Sequence, residues 1–89
     1  MPTVHILIQG KVQGVFYRAS AKKKADEAGI VGWVKNTHAG HVEILAKGNK
    51  SALETFVNWC KQGPPKAIVT QLRVTEKEEE HFTAFEILR

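Results

Sequence analysis

Ile30-Val-Gly-Trp-Val-Lys-Asn36, Thr37-His-Ala39 and Gly40-His-Val-Glu-Ile-Leu-Ala-Lys47 follow one another without interruption, and their reading decides the fold. The first segment reads as a strand. In the last, Val42, Ile44 and Ala46 alternate with His41, Glu43, Leu45 and Lys47, the period-2 pattern of a half-buried strand. Residues 36–40 between them make a short hairpin connection, with Gly40 able to take positive φ. Two strands therefore sit side by side in mid-chain.

On the N-terminal side, residues 3–9 are apolar and rich in β-branched side chains, which predicts a central strand. Residues 10–18 read as a loop and residues 19–28 as a helix, whose Ala21, Ala25 and Ala28 form a small-residue face before Gly29 ends it. Downstream, Ser51 and Glu54 have the spacing of a capping box, and Leu53, Phe56, Val57 and Cys60 follow at helical spacing until Gly63 and Pro64 stop the helix. Strands are expected over residues 67–75 and 82–88, joined by an exposed acidic segment over residues 76–80. This order is a split βαβ. It predicts an α+β, ferredoxin-like α/β sandwich, βαββαβ with an extra C-terminal strand segment, in which an antiparallel sheet carries two helices on one face.

Many unrelated activities share that architecture, so composition and side-chain chemistry must narrow the function. Eighty-nine residues suit one domain that buries only roughly 60% of its unfolded surface, too little for a large enclosed active site. No run approaches the roughly 20 apolar residues of a membrane span, and the N-terminus lacks the marks of a signal peptide, so the expected location is cytoplasmic. Cys60 is the one cysteine, which excludes an intrachain disulfide and leaves a buried, inert thiol as its reading. The 13 basic against 9 acidic side chains give a net charge of +4, compatible with small anions and short of a nucleic-acid stripe.

The anion has an obvious place to bind. Gly10-Lys-Val-Gln-Gly-Val-Phe-Tyr-Arg18 passes from strand to helix, so turning backbone amides and a helix N-terminus converge, adding a partial charge of about +0.5. Arg18 in a first helical turn is electrostatically misplaced unless something negative lies beside it.

That nonapeptide and Gly32-Trp-Val-Lys-Asn-Thr-His-Ala-Gly40-His-Val42, closing at Gly48, resemble the two signature motifs of the acylphosphatase family in order and spacing. The resemblance extends over the whole chain, because the later helix and strands also match in length and order. It implies one acylphosphatase-like domain over residues 1–89 that hydrolyses acyl phosphates to a carboxylate and inorganic phosphate by direct in-line attack of water. The same resemblance implies no metal and no cofactor. The expected partner is a small-molecule acyl phosphate, whose place inorganic phosphate or sulfate can take, with no nucleic acid and no membrane, for a monomer. Carried over by position, the phosphate-binding arginine is Arg18 and the water-positioning asparagine is Asn36, with phosphate-binding amides from Gln13, Gly14, Val15, Phe16, Tyr17 and Arg18.

Elementary chemistry supports these assignments separately. A guanidinium can make two parallel charge-assisted bonds to phosphoryl oxygens, which an ammonium cannot. An amide side chain can orient a water but cannot deprotonate it at neutral pH. A carboxylate leaving group, with a pKa of about 4, departs without a general acid.

Other residues invite blander readings. His38, though close to Asn36, is expected to be a solvent-exposed turn residue, and His5, His41 and His81 to be surface or strand residues, since none forms an i, i+4 ligand pair. Lys22, Lys23 and Lys24 read as a solvated helix face, and Trp33 and Phe16 as core or groove-lining aromatics. The family often has a threonine or another polar residue where Ala21 stands. Tyr17 replaces a phenylalanine common before the arginine, and its hydroxyl is expected to reach solvent. An RNA-recognition domain shares the element order, but residues 40–47 contain no aromatic to stack a base; a metal-carrying domain would want a Cys-x-x-Cys pair.

Overall fold

A computed structural model of the chain describes residues 1–88. Its elements run β1 (Thr3–Lys11), α1 (Tyr17–Ala28), β2 (Val31–Asn36), β3 (Val42–Lys47), α2 (Lys50–Cys60), β4 (Ile68–Lys77) and β5 (Phe85–Ile87). They build a five-stranded sheet in the order β4-β1-β3-β2-β5. The central hairpin is present as expected, with Val34 opposite Ile44 and Asn36 opposite Val42. β1 is an interior strand, antiparallel to both β3 and β4. The added strand β5 lies parallel to β2, with Val34 level with Ile87, so the sheet is mixed at that edge.

Strand alternation sends Ile6, Ile8, Val34, Val42, Ile44 and Ala46 to one face, where they pack with Tyr17, Ala21, Ala25, Leu53, Phe56 and Cys60 of the two helices. Ala21 and Ala25 are completely buried, and their small side chains let α1 lie close to the strands. Burying an isoleucine such as Ile6 contributes about 1.5–3 kcal/mol, so this single layer carries much of the stability. Phe85 is also buried and meets Phe56 edge-on at 6.0 Å, which anchors the short β5 to the core. Among the described residues no helix is long and apolar enough to cross a membrane.

Several element ends differ from the sequence reading, each for a local reason. β1 runs through Gly10 to Lys11, with a register shift against β4 at Gln9 and Gly10. Gly10 has φ +129°, and a Cβ there would stand 2.1 Å from the Ile68 carbonyl oxygen, so this glycine serves a bulge between strands rather than an anion nest. The loop is correspondingly shorter, because α1 begins at Tyr17. α2 begins at Lys50, where the Asn49 side chain accepts a 2.8 Å bond from the Ala52 amide; asparagine caps as well as serine, so the Ser51–Glu54 capping box is not used. The last strand is trimmed to three residues.

Two aromatic side chains are placed differently from expectation. The Tyr17 hydroxyl is buried and donates a 2.6 Å bond to the Cys60 carbonyl, joining the start of α1 to the end of α2. Burial holds the phenol far above its ordinary pKa and pushes the buried Cys60 thiol up to about 12. Tyr17→Phe is therefore expected to cost about 1 kcal/mol and to lower the melting temperature by about 4–8 °C in a thermal scan. Trp33 occupies the sheet face opposite Val34, half-buried, with the Lys35 ammonium 5.1 Å above its ring. It belongs to neither core nor groove.

Candidate active site

The loop between β1 and α1 owes its shape to two residues in the left-handed region. Gly14 has φ +74° with open space where a Cβ would be, and Phe16 has φ +64° and ψ +25° at the N-cap of α1. Glycine takes this conformation freely; phenylalanine does so at a cost of about 1–2 kcal/mol. Between them Val15 turns inward and is buried, pinning the loop to the core. No side chain caps the first turn of α1, and that turn contains no acidic residue. Its amides thus keep the partial positive charge that attracts an anion.

Arg18 is the second residue of α1, half-buried, with no ion-pair partner among the described residues. Asn36 ends β2 on the same face as Val34, and Ile87 of β5 lies on that face two residues beyond buried Phe85. These pieces meet at one end of the sandwich. An open cavity of about 390 Å³ is lined by Val12, Gly14, Phe16, Tyr17, Arg18, Ala19, Asn36 and Ile87.

Within that wall the Asn36 Oδ1 is buried and has no hydrogen-bond partner among the described residues. Buried acceptors are almost always satisfied, so one that is not, in the wall of a cavity, marks a position a water or ligand donor can fill. Of the residues singled out in the sequence, Gly14, Phe16, Tyr17, Arg18 and Asn36 share this cavity. Val15 faces the core instead, and Gln13 does not line the wall.

Gln13 has a different task, one the sequence did not reveal. Its Nε2 donates to the carbonyls of Thr37 and His41, at 2.9 Å each, and so fastens the loop that leads to Arg18 onto the hairpin that begins at Asn36. The hairpin is itself closed by bonds from the Thr37 amide to the His41 carbonyl at 2.9 Å and from the His41 amide to the Thr37 hydroxyl at 3.1 Å. Two carbonyls 4 residues apart in a hairpin are a long-range target, and nothing in the local spelling of residues 10–18 announces them. Ile87 was missed for the same reason, since its place depends on the parallel pairing of β5.

The remaining candidates lie elsewhere. His38 is exposed in the hairpin and does not line the cavity. His5 pairs with Glu43 at 2.6 Å across two strands. Among the described residues no group of three histidine, cysteine, aspartate or glutamate side chains is placed to hold a metal ion. Lys22 is partly a structural tie, donating to Asp26 at 3.0 Å and to the Phe85 carbonyl at 2.9 Å, whereas Lys23 and Lys24 are exposed.

The uncapped start of α1 and the Asn36 amide oxygen share one cavity in a ferredoxin-like α+β sandwich, an arrangement chemically able to receive an oxyanion. Comparison with known proteins narrows this further. A sequence model of the acylphosphatase family matches residues 4–87. An acylphosphatase of Methylococcus capsulatus is 48% identical over 100% of this chain and 98% of its own. Another, of Gloeobacter violaceus, is 45% identical over 96% of this chain and 91% of its own. The crystal structure of acylphosphatase from Bacillus subtilis superposes with a TM-score of 0.97 at 41% identity, with each chain covered in full (100%). The chain belongs to the acylphosphatase family.

Proposed function

We propose that the chain hydrolyses acyl phosphates by direct in-line displacement, with water as nucleophile and a carboxylate as leaving group. The observation that carries this reading is the Oδ1 of Asn36, without a partner among the described residues, in the wall of the cavity that also contains Arg18. Arg18 grips two phosphoryl oxygens, and the amides of the loop from Gln13 to Arg18 surround the phosphoryl group. Asn36 accepts a hydrogen bond from the attacking water at Oδ1 and thereby aims a lone pair of that water at phosphorus. The P–O bond to the carboxylate breaks as the water oxygen bonds to phosphorus.

No protein base is required. The water proton passes to a phosphoryl oxygen, and the carboxylate leaves as the anion. Stabilisation of charge on the equatorial oxygens, supplied by groups already in place, is the main contribution of the protein. Because every group named belongs to one chain, the site is complete in a monomer, and the same seat accepts inorganic phosphate or sulfate. In this reading a single domain acts on a small molecule in the cytoplasm.

The purified chain in excess chelator is expected to release phosphate from benzoyl phosphate and to leave an alkyl phosphate nearly untouched, because an alkoxide leaving group would need a proton donor. Colorimetric phosphate release measures both. Equal rates on the two substrates, or none on the first, would defeat the proposal.

A further inference from the structure

The sheet does not hold the two halves of the site together. The ladder between β1 and β3 ends where Ile8 stands opposite Val42; beyond it β1 shifts register at Gln9 and Gly10 and continues to Lys11 against β4 alone. The loop that leads to Arg18 and the turn that follows Asn36 therefore leave the sheet as separate segments. Among the described residues, the hydrogen bonds that cross between them are the two that Gln13 Nε2 donates, at 2.9 Å each, to the carbonyls of Thr37 and His41.

The turn is built to receive that amide. The Thr37 amide donates to the His41 carbonyl at 2.9 Å, the Gly40 amide to the Thr37 carbonyl at 3.2 Å, and the His41 amide to the Thr37 hydroxyl at 3.1 Å. These bonds fix the two carbonyls relative to each other, and each carbonyl keeps a second lone pair for one N–H of a primary amide. On the loop side, buried Val12 and Val15 hold the backbone before and after Gln13. Both ends of the tether are thus anchored.

We propose that the Gln13 side chain is a positioning residue of the hydrolysis, setting the distance and angle between the phosphoryl group on the Arg18 side and the water on the Asn36 side. This rests on the catalytic reading above and adds to it the group that aligns the two reactants. The side chain acts through the turn on Asn36, from outside the cavity wall. Misplacing a reacting group by about 1 Å costs on the order of 10²-fold in rate, so such a tether governs kcat and leaves phosphate binding, which belongs to its own side of the gap, intact. Glutamine is required by length and by donor count: asparagine is one methylene short, and an ionised glutamate would present acceptors to two acceptors.

The test is a double-mutant cycle on benzoyl phosphate hydrolysis. Gln13→Ala should lower kcat about 10- to 10²-fold in the wild-type chain but less than about threefold in an Asn36→Ala chain, because a tether that works by aiming Asn36 has nothing left to aim. The inhibition constant of inorganic phosphate should stay within about twofold of wild type, and Gln13→Asn should not restore the rate. Gln13→Glu should be as slow at about pH 7 and regain rate relative to wild type as the pH falls towards about 5, where a protonated carboxyl can donate one of the two bonds. That profile is read within one folded protein, so it decides the matter even where the alanine variant is too unstable to assay. Equal losses with and without Asn36, wild-type kcat in the Gln13 variants, a phosphate constant that weakens in step with the rate, or a flat relative pH profile for Gln13→Glu overturns the tether. A wild-type chain inert toward benzoyl phosphate overturns the catalytic reading instead, a result plainly different from an active chain indifferent to Gln13.

Discussion

Arg18→Lys is expected to lower kcat/KM on benzoyl phosphate by about 10²-fold or more, although the charge is kept. A lysine ammonium can offer one directional contact where the guanidinium offers two parallel ones, and it reaches from a flexible stem that must be ordered anew at each encounter. Removing one well-aimed donor from a site that stabilises developing oxyanion charge costs about 10²–10³-fold in other enzymes. Stability should barely change, because Arg18 has no ion-pair partner among the described residues and its replacement removes no protein contact of that kind. The two measurements together are diagnostic: near-normal turnover by the lysine variant would remove Arg18 from the mechanism, and a lowered melting temperature would assign it to the fold.

Asn36→Ala separates binding from chemistry. If Asn36 aims the water and Arg18 with the loop holds the phosphoryl group, the alanine variant should lose about 10²-fold or more in kcat while the inhibition constant of inorganic phosphate stays within about twofold. Its effect on stability should run the opposite way from most substitutions. The Oδ1 is buried without a partner among the described residues, and removing an unsatisfied polar atom spares a desolvation penalty of about 1–3 kcal/mol. The melting temperature should therefore hold or rise. Equal weakening of phosphate binding and turnover would instead make Asn36 part of the cradle.

The element order and the side-by-side strands could be read from alternation and helical spacing, since both are local properties of the chain. So could the loop and its arginine, because glycine, helix start and misplaced charge lie within nine consecutive residues. What escaped depends on partners far along the chain. The parallel docking of β5 puts Ile87 in the cavity, yet residues 82–88 read only as an apolar run. The buried Tyr17 hydroxyl finds its acceptor in α2, 43 residues away. Phe16 could not be read as a left-handed residue, because phenylalanine carries no preference for that conformation.

The two hydrogen bonds that Gln13 donates to the Thr37 and His41 carbonyls give the site a particular response to heat. Loop and hairpin are both surface segments, the sort that opens locally well below the temperature at which a core melts. With a single side chain spanning them, the groups on either side separate as soon as that side chain lets go. Catalytic output should therefore decline on warming ahead of the loss of sheet and helix, and recover on cooling, so that the rate itself records the opening of two loops while the sandwich beneath them remains folded.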